Sequence, residues 1–324
     1  MKIPGILVLT LAAAAVQAAP TVYIPTGTGN VVVAVDAATD TVTATYTGVE
    51  NSHGLVATPD GEYLVAGSLS ETPLKPGQPK DTPNSQLFFI HPAHGHVMST
   101  IPVAGWSHHL AITPDGRYVL AAHGARGTMG VVDLQSNAET RTVPTGRVPN
   151  FILVTRDGRR AYVSNTGSND IAEVDLTTWK VTRRLEGGPA PTHMAFSRDE
   201  KKIYVGNAAA GKVSEVDVAS GKITRSFRIG KGVHGVDVSD DGRTLFVTSQ
   251  QEQKLVAVDL ATGAERAIAL KPAPYHLNTI HGAGKVYVSS AREPTVWVVD
   301  QKTFKVTGSF KLPAGQGHQM AVVP

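Results

Sequence analysis

The chain has 324 residues, no cysteine, 32 glycines, 20 prolines and a formal net charge of +3. Without cysteine there are no disulfides, thiolate metal ligands, iron–sulfur clusters or covalently attached c-type haem. The small net charge gives no global argument for nucleic-acid binding, and the length suits either two domains or one large repeat fold.

The N-terminus, MKIPGILVLTLAAAAVQAAP, sets one lysine before an apolar run and ends that run at Val16-Gln17-Ala18, a small-residue cleavage pattern. This predicts a signal peptide over 1–18 and a periplasmic or secreted protein. The run is short for a membrane span, and no later stretch is apolar enough to cross a bilayer. Residues 19–324 read as one domain. That domain begins with three short strands, TVYIPTG, NVVVAVD and TVTATYTG.

From there the sequence repeats. Asp-Gly or Asp-Glu turns fall at Asp60, Asp115, Asp157, Asp199 and Asp241, in steps of 55, 42, 42 and 42 residues. A second marker, Val-Asp, ends at Asp36, Asp133, Asp175, Asp217, Asp259 and Asp300, with Ile90-His91 filling the missing place. The spacing from each such marker to the next Asp-Gly turn is 24 residues. Two independent markers with one period define an internal repeat. One unit reads HMAFS, KKIYVGN, KVSEVDV and KITRSFRIG, four strands a to d separated by turns. Four strands in about 42 residues are the signature of a β-propeller blade. The marker aspartates sit where a carboxylate bonds backbone N–H groups two residues on, a structural role.

The count closes at seven. The chain opens with strands b, c and d only, and it ends with a lone strand a, GHQMAVVP. The expectation is an all-β, monomeric seven-bladed β-propeller of four antiparallel strands per blade, its first blade completed by the C-terminal strand. The runs AYVSN, IYVGN, LFVTS and VYVSS, with TPDGRYVLAAH and SDDGRTLFVTS, resemble the YVTN-type, YncE-like propeller repeat. The resemblance covers nearly all of residues 19–324. It implies the fold and leaves the function open; similar propellers include the haem d1 type and lactonase-like proteins.

Strand a lines the channel of a propeller. His53, His108, His109, His193, His234, His276 and His318 all stand at the start of a strand a, leaving Asn150 in that place in the fourth blade. One reading is inheritance of an ancestral histidine through duplication. The sharper reading is a metal centre, because neutral imidazole is a common metal ligand and sites made only of histidine suit copper or zinc. The layout resembles the His-lined copper centres of seven-bladed propellers such as nitrous oxide reductase and thiocyanate dehydrogenase. His53, His108 and His234 stand seven residues before their aspartate, whereas His109 and His193 stand six before. A one-residue shift turns a side chain to the other face of a strand, so three or four rings are expected to point inward together.

Other residues are expected at the same mouth. Arg126, Arg147, Lys231 and Lys271 lie in loops that would form a positive funnel for a small anion. Asn150 and Trp106 complete the candidate substrate-binding set. The segment Leu69–Gln86 is an insertion between strands b and c of the second blade and a candidate lid. His91, His94 and His96 form a separate tract in a c–d turn on the opposite face, and His281 reads as structural. No G-x-S-x-G elbow, H-E-x-x-H or P-loop occurs, and Gly27-Thr28-Gly29 lies in a loop with no following helix.

The leading expectation is an exported propeller binding copper or zinc at its axis. It would serve metal handling with a donor or acceptor protein, or redox chemistry on a small anion. An enzyme built this way would be a metal-dependent oxidoreductase. The alternatives are a metal-free scaffold for a protein or cell-wall partner, and a tetrapyrrole-binding propeller. No nucleic-acid partner is expected.

Overall fold

The computed structural model describes residues 19–324; the leader read over 1–18 lies outside the described residues. Seven four-stranded antiparallel sheets follow one another around a central axis. Blade 5 is typical: Pro191–Phe196, Lys202–Asn207, Lys212–Asp217 and Lys222–Arg228 run from strand a at the axis to strand d at the rim. The burial follows that order. Strands a to c are almost wholly buried, while strand d alternates exposed and part-buried residues. The inner strands are covered by neighbouring blades on both faces, so they read as continuous Val/Ile/Ala runs; strand d has one wet face and alternates.

Ring closure occurs as the repeat count requires. Ala321–Val323 pairs antiparallel with Thr21–Pro25 and completes the first blade. Every blade therefore packs between two others, and no inner edge is left open. Apolar clusters lie between adjacent blades; one of them joins Tyr23, Val32 and Tyr46 of blade 1 to Leu55, Leu64 and Phe88 of blade 2. The closing segment also reaches across the axis. The side chain of Gln319 accepts from the backbone N–H groups of Leu55 and Leu110, at 3.3 and 3.0 Å, and donates to the Leu110 carbonyl at 2.8 Å.

The aspartate markers hold the turns locally. Asp60 accepts from the Thr58 hydroxyl at 2.5 Å and the Glu62 N–H at 3.0 Å. Asp241 repeats this with Ser239 and Arg243. Asp175, Asp217 and Asp300 each accept the N–H three residues on, at 2.7 Å. The insertion bridges Leu64–Ser68 and Ser85–His91 without strands of its own. No helix among the described residues is long and apolar enough to cross a membrane.

Candidate metal centre

In blades 2 to 7 strand a enters the channel through a β-bulge, and the bulge places the histidines. In blade 2, Ser52 pairs with Ser68 but Leu55 pairs with Ala66, so His53 and Gly54 together oppose one residue. The same one-residue shift falls within 150–151, 192–193, 234–235 and 275–276. In blade 3, Ala122 accepts from the His108 N–H and donates to the His109 carbonyl, so both histidines face one residue there too. A bulge re-aims side chains and cancels strict alternation. The six- and seven-residue offsets are thus the two positions of one bulge rather than the two faces of a strand. The expectation that only three or four rings point inward is corrected on that ground.

All seven imidazoles meet. From His318 to His53, His108, His109, His193, His234, His276 and back to His318, successive ring centroids lie 4.2, 4.5, 4.4, 4.5, 4.3, 4.8 and 5.3 Å apart. Glycine decides which bulge position carries the ring in two blades. A Cβ on Gly54 would stand 2.9 Å from the Leu110 nitrogen, and one on Gly235 would stand 2.8 Å from the Leu277 nitrogen and the Tyr275 carbonyl. The neighbouring strand a comes too close for a side chain at those positions, so in these blades the ring stands at the residue before, His53 or His234.

Two sets of three imidazoles bring their nitrogens within 4.8 Å of one another: His53, His109 and His276, and His193, His234 and His276. Donors bound to one ion at 2.0–2.1 Å in a tetrahedral array lie about 3.4 Å apart. The Nε2 atoms of His234 and His276 are already 3.4 Å apart. Several nitrogens are buried with no protein partner: His53 Nδ1, His109 Nε2, His193 Nε2 and His318 Nδ1. Such atoms are rare in folded proteins and mark sites completed by something else. His109 is set up in the manner of a ligand. Its Nδ1 lies 2.8 Å from the Asn150 carbonyl, which fixes that proton and leaves the Nε2 lone pair free.

The cluster is held neutral. Burial pushes His234 down to about 3 and His108 and His318 down to about 4. His53, His109, His193 and His276 also fall well below the usual imidazole range, first through burial and then through repulsion from neighbouring rings. Uncharged rings with free lone pairs are the form a metal ion binds.

Aromatic side chains close the mouth: Tyr275 stacks on His234 at 4.1 Å and Trp106 stands edge-on to His108 at 5.8 Å. Phe151 packs between His109 and His193, at 4.8 and 5.0 Å, in the gap of the ring in the fourth blade. The insertion is tied to this wall: Glu71 accepts from the Trp106 N–H at 3.2 Å and from Arg126 at 3.3 Å. Asn150, in the seat of the missing histidine, offers its backbone carbonyl to His109, while its side-chain oxygen is buried without a partner. Arg126 and Arg147 line one rim groove and Lys231 another, and neither groove contains a histidine of the cluster. Arg147 is turned onto the Gly167 carbonyl at 2.6 Å. On the opposite face His91 and His94 stack at 4.0 Å, but among the described residues the tract forms no three-donor group. His281 pairs with Asp240 at 2.6 Å.

Sequence reasoning missed a buried pair behind this wall. His123 Nε2 meets Glu139 at 2.8 Å, and the other Glu139 oxygen accepts the Ala104 N–H, also at 2.8 Å. The pair braces the segment leading to Trp106 and His108. The available signal was positional: His123 ends strand b of its blade, where other blades have Asn165, Asn207, Ser249 and Ser290.

Fold and site together define a seven-bladed β-propeller with a closed ring of imidazoles at one end of its axis. Residues 145–242 match the family model described as YNCE-like beta-propeller, in keeping with the resemblance carried by AYVSN and IYVGN. No curated protein matches the sequence. Among solved structures, the chain is similar to the periplasmic gluconolactonase PpgL of Pseudomonas aeruginosa, at 17% identity over 94% of this chain and 99% of that one, with a TM-score of 0.74. It is also similar to hydrazine synthase of Kuenenia stuttgartiensis, at 19% identity over 77% and 76% of the two chains, TM-score 0.67. A third similar structure is the dihydro-heme d1 dehydrogenase NirN in complex with DHE, at 15% identity over 91% of this chain and 64% of that one, TM-score 0.68. At these identities the likeness is one of fold.

Proposed function

We propose that this is an exported metal-binding propeller whose axial imidazoles hold copper or zinc, for metal handling or for redox chemistry on a small substrate. The observation that carries this reading is the pair of three-imidazole sets meeting at His276, with buried nitrogens left unpartnered. His53, His109 and His276 would hold one ion, and His193 and His234 with His276 provide a second place. A bound ion would supply Lewis acidity, or electron transfer if it is copper. The chain's own part is to keep the rings neutral, to fix the His109 tautomer through Asn150, and to keep the mouth walled by Trp106 and Tyr275. Export is supported by the leader read over 1–18.

The test is metal analysis of protein purified without a histidine tag. The expected result is stoichiometric copper or zinc in the parent and none in a His109→Ala/His193→Ala/His234→Ala variant that still folds. A parent that takes up no metal at micromolar copper or zinc overturns the reading and leaves a metal-free scaffold. A visible absorption band that survives chelation would instead point to a tetrapyrrole.

A further inference from the structure

Beneath the imidazoles the axis is open. A cavity of about 520 Å³ runs along the a strands of blades 4 to 7, with His193 and His276 at its head and the a–b turns of Arg156, Arg198, Asp240 and His281 at its far end. Its walls mix apolar side chains, Phe151, Met194 and Phe196 among them, with polar ones, and its size is that of a small-molecule site.

Two polar side chains project into it from the strands, Asp237 and Asn278. The Asp237 carboxylate accepts the Val238 N–H at 2.8 Å and the Thr279 N–H at 2.7 Å. Desolvation by the surrounding strands raises its pKa, the Thr279 and Val238 N–H bonds oppose that rise, and the residue keeps part of its surface open, as a group facing a cavity does. Asp237 is the one charged lining residue carried by a strand; the others stand on turns at the far mouth. There Arg156 lies 3.9 Å from Glu200 and His281 pairs with the Asp240 carboxylate, while Arg198 donates to the Asp240 backbone carbonyl. The cations sought at the histidine mouth lie in separate rim grooves.

We propose that this axial cavity is the ligand pocket of the protein. In it a small neutral or cationic hydrogen-bond donor, an amine or hydroxyl compound, reaches His193 and His276 from the face opposite the histidine mouth. Asp237 accepts the donor, and a carboxylate on the strand wall with no cation beside it at that depth disfavours anions. What happens at the imidazoles rests on the metal reading above; the pocket, its direction and its charge preference do not.

The absence of native cysteine provides the test. Asn278→Cys places one thiol in the pocket, and Ser136→Cys places a control on the exposed surface. Each metal-free protein is treated with three methanethiosulfonates: neutral methyl, cationic aminoethyl and anionic sulfonatoethyl. Modification is followed by mass, and each rate is divided by that of the control thiol. The neutral and cationic reagents are expected to modify Asn278→Cys, with the anionic reagent at least about tenfold slower. Adding Asp237→Asn should bring the anionic rate close to the neutral one. Adding His281→Trp at the far mouth should slow all three. Should Asn278→Cys fail to melt like the parent, Met320→Cys, also in the lining, takes its place. The proposal is overturned by an unreactive pocket thiol beside a reactive control, by equal rates for all three reagents, or by an Asp237→Asn variant that leaves the preference unchanged. Because these rates are read without metal, they stand or fall separately from the metal analysis.

Discussion

Two side chains recur around this ring, an aspartate at the turns and a histidine at the head of strand a, and they solve opposite problems. Asp241 is satisfied inside its own turn, by the Ser239 hydroxyl and the Arg243 N–H, within two residues on either side. His276 is surrounded by rings from other blades: His53, His193, His234 and His318 lie within 4.8 to 5.3 Å of it. The aspartate would do its work in an isolated blade. The histidine has an environment only when seven blades close. A repeat can therefore preserve two markers equally well and use one for local geometry and the other for a site that no single copy contains.

Breaking closure should separate the two most sharply. Deleting Gln316–Pro324 removes strand a of blade 1 and the Gln319 bonds to Leu55 and Leu110. Cooperative thermal unfolding should disappear, together with any metal binding, while the turns of surviving blades keep their local bonds; calorimetry and amide exchange read these outcomes. Within an intact ring, His276→Ala should abolish metal uptake, because both three-imidazole sets need that ring, while Asp241→Ala leaves uptake unchanged. Isothermal titration with copper or zinc checks the pair.

Acid should distinguish the regions by pH. The buried imidazoles have depressed values in the folded protein, so as pH falls below about 6.5 the unfolded chain takes up protons that the folded chain refuses. Stability is therefore full above that pH and declines down toward the folded values of about 3 to 4. The turn aspartates are also depressed, Asp60 first by its Thr58 hydrogen bond and Asp175 first by the Thr178 N–H. Their contribution persists above the unfolded carboxyl value and is lost only as pH falls below it. The melting temperature of metal-free protein should accordingly drop by roughly 10 °C between pH 7.5 and 5, and this drop should shrink in the triple histidine-to-alanine variant.

Smaller effects follow from single contacts. His123→Ala leaves Glu139 buried and short of a partner, a cost of about 3 kcal/mol in urea unfolding. Asp241→Ala removes bonds that water replaces in part, and should cost about 1 kcal/mol or less. A larger loss from the turn aspartate than from His123 would reverse the contrast between local and closed-ring roles.

The strands, the 42-residue period, the structural aspartates and the C-terminal closure were legible because each depends on residues near one another in sequence or on a count of repeats. The identity of the histidines was legible for the same reason. Their orientation was not. His53 and His193 stand at different offsets from their turns, and strict alternation would send them apart; the bulges at 53–54 and 192–193 bring them together. Gly54 and Gly235 contribute through the approach of a neighbouring strand, which no single repeat reveals.

By itself the sequence determined seven blades, their closure and one imidazole-bearing position in six of them, since hydrophobic alternation, turn chemistry and periodicity are local or countable properties. Tertiary structure alone decided that all seven rings converge, that they stay neutral, that His276 belongs to both three-imidazole sets, and that Asp237 faces an open axis. Those outcomes depend on desolvation and on distances between blades, which exist only once the ring has closed.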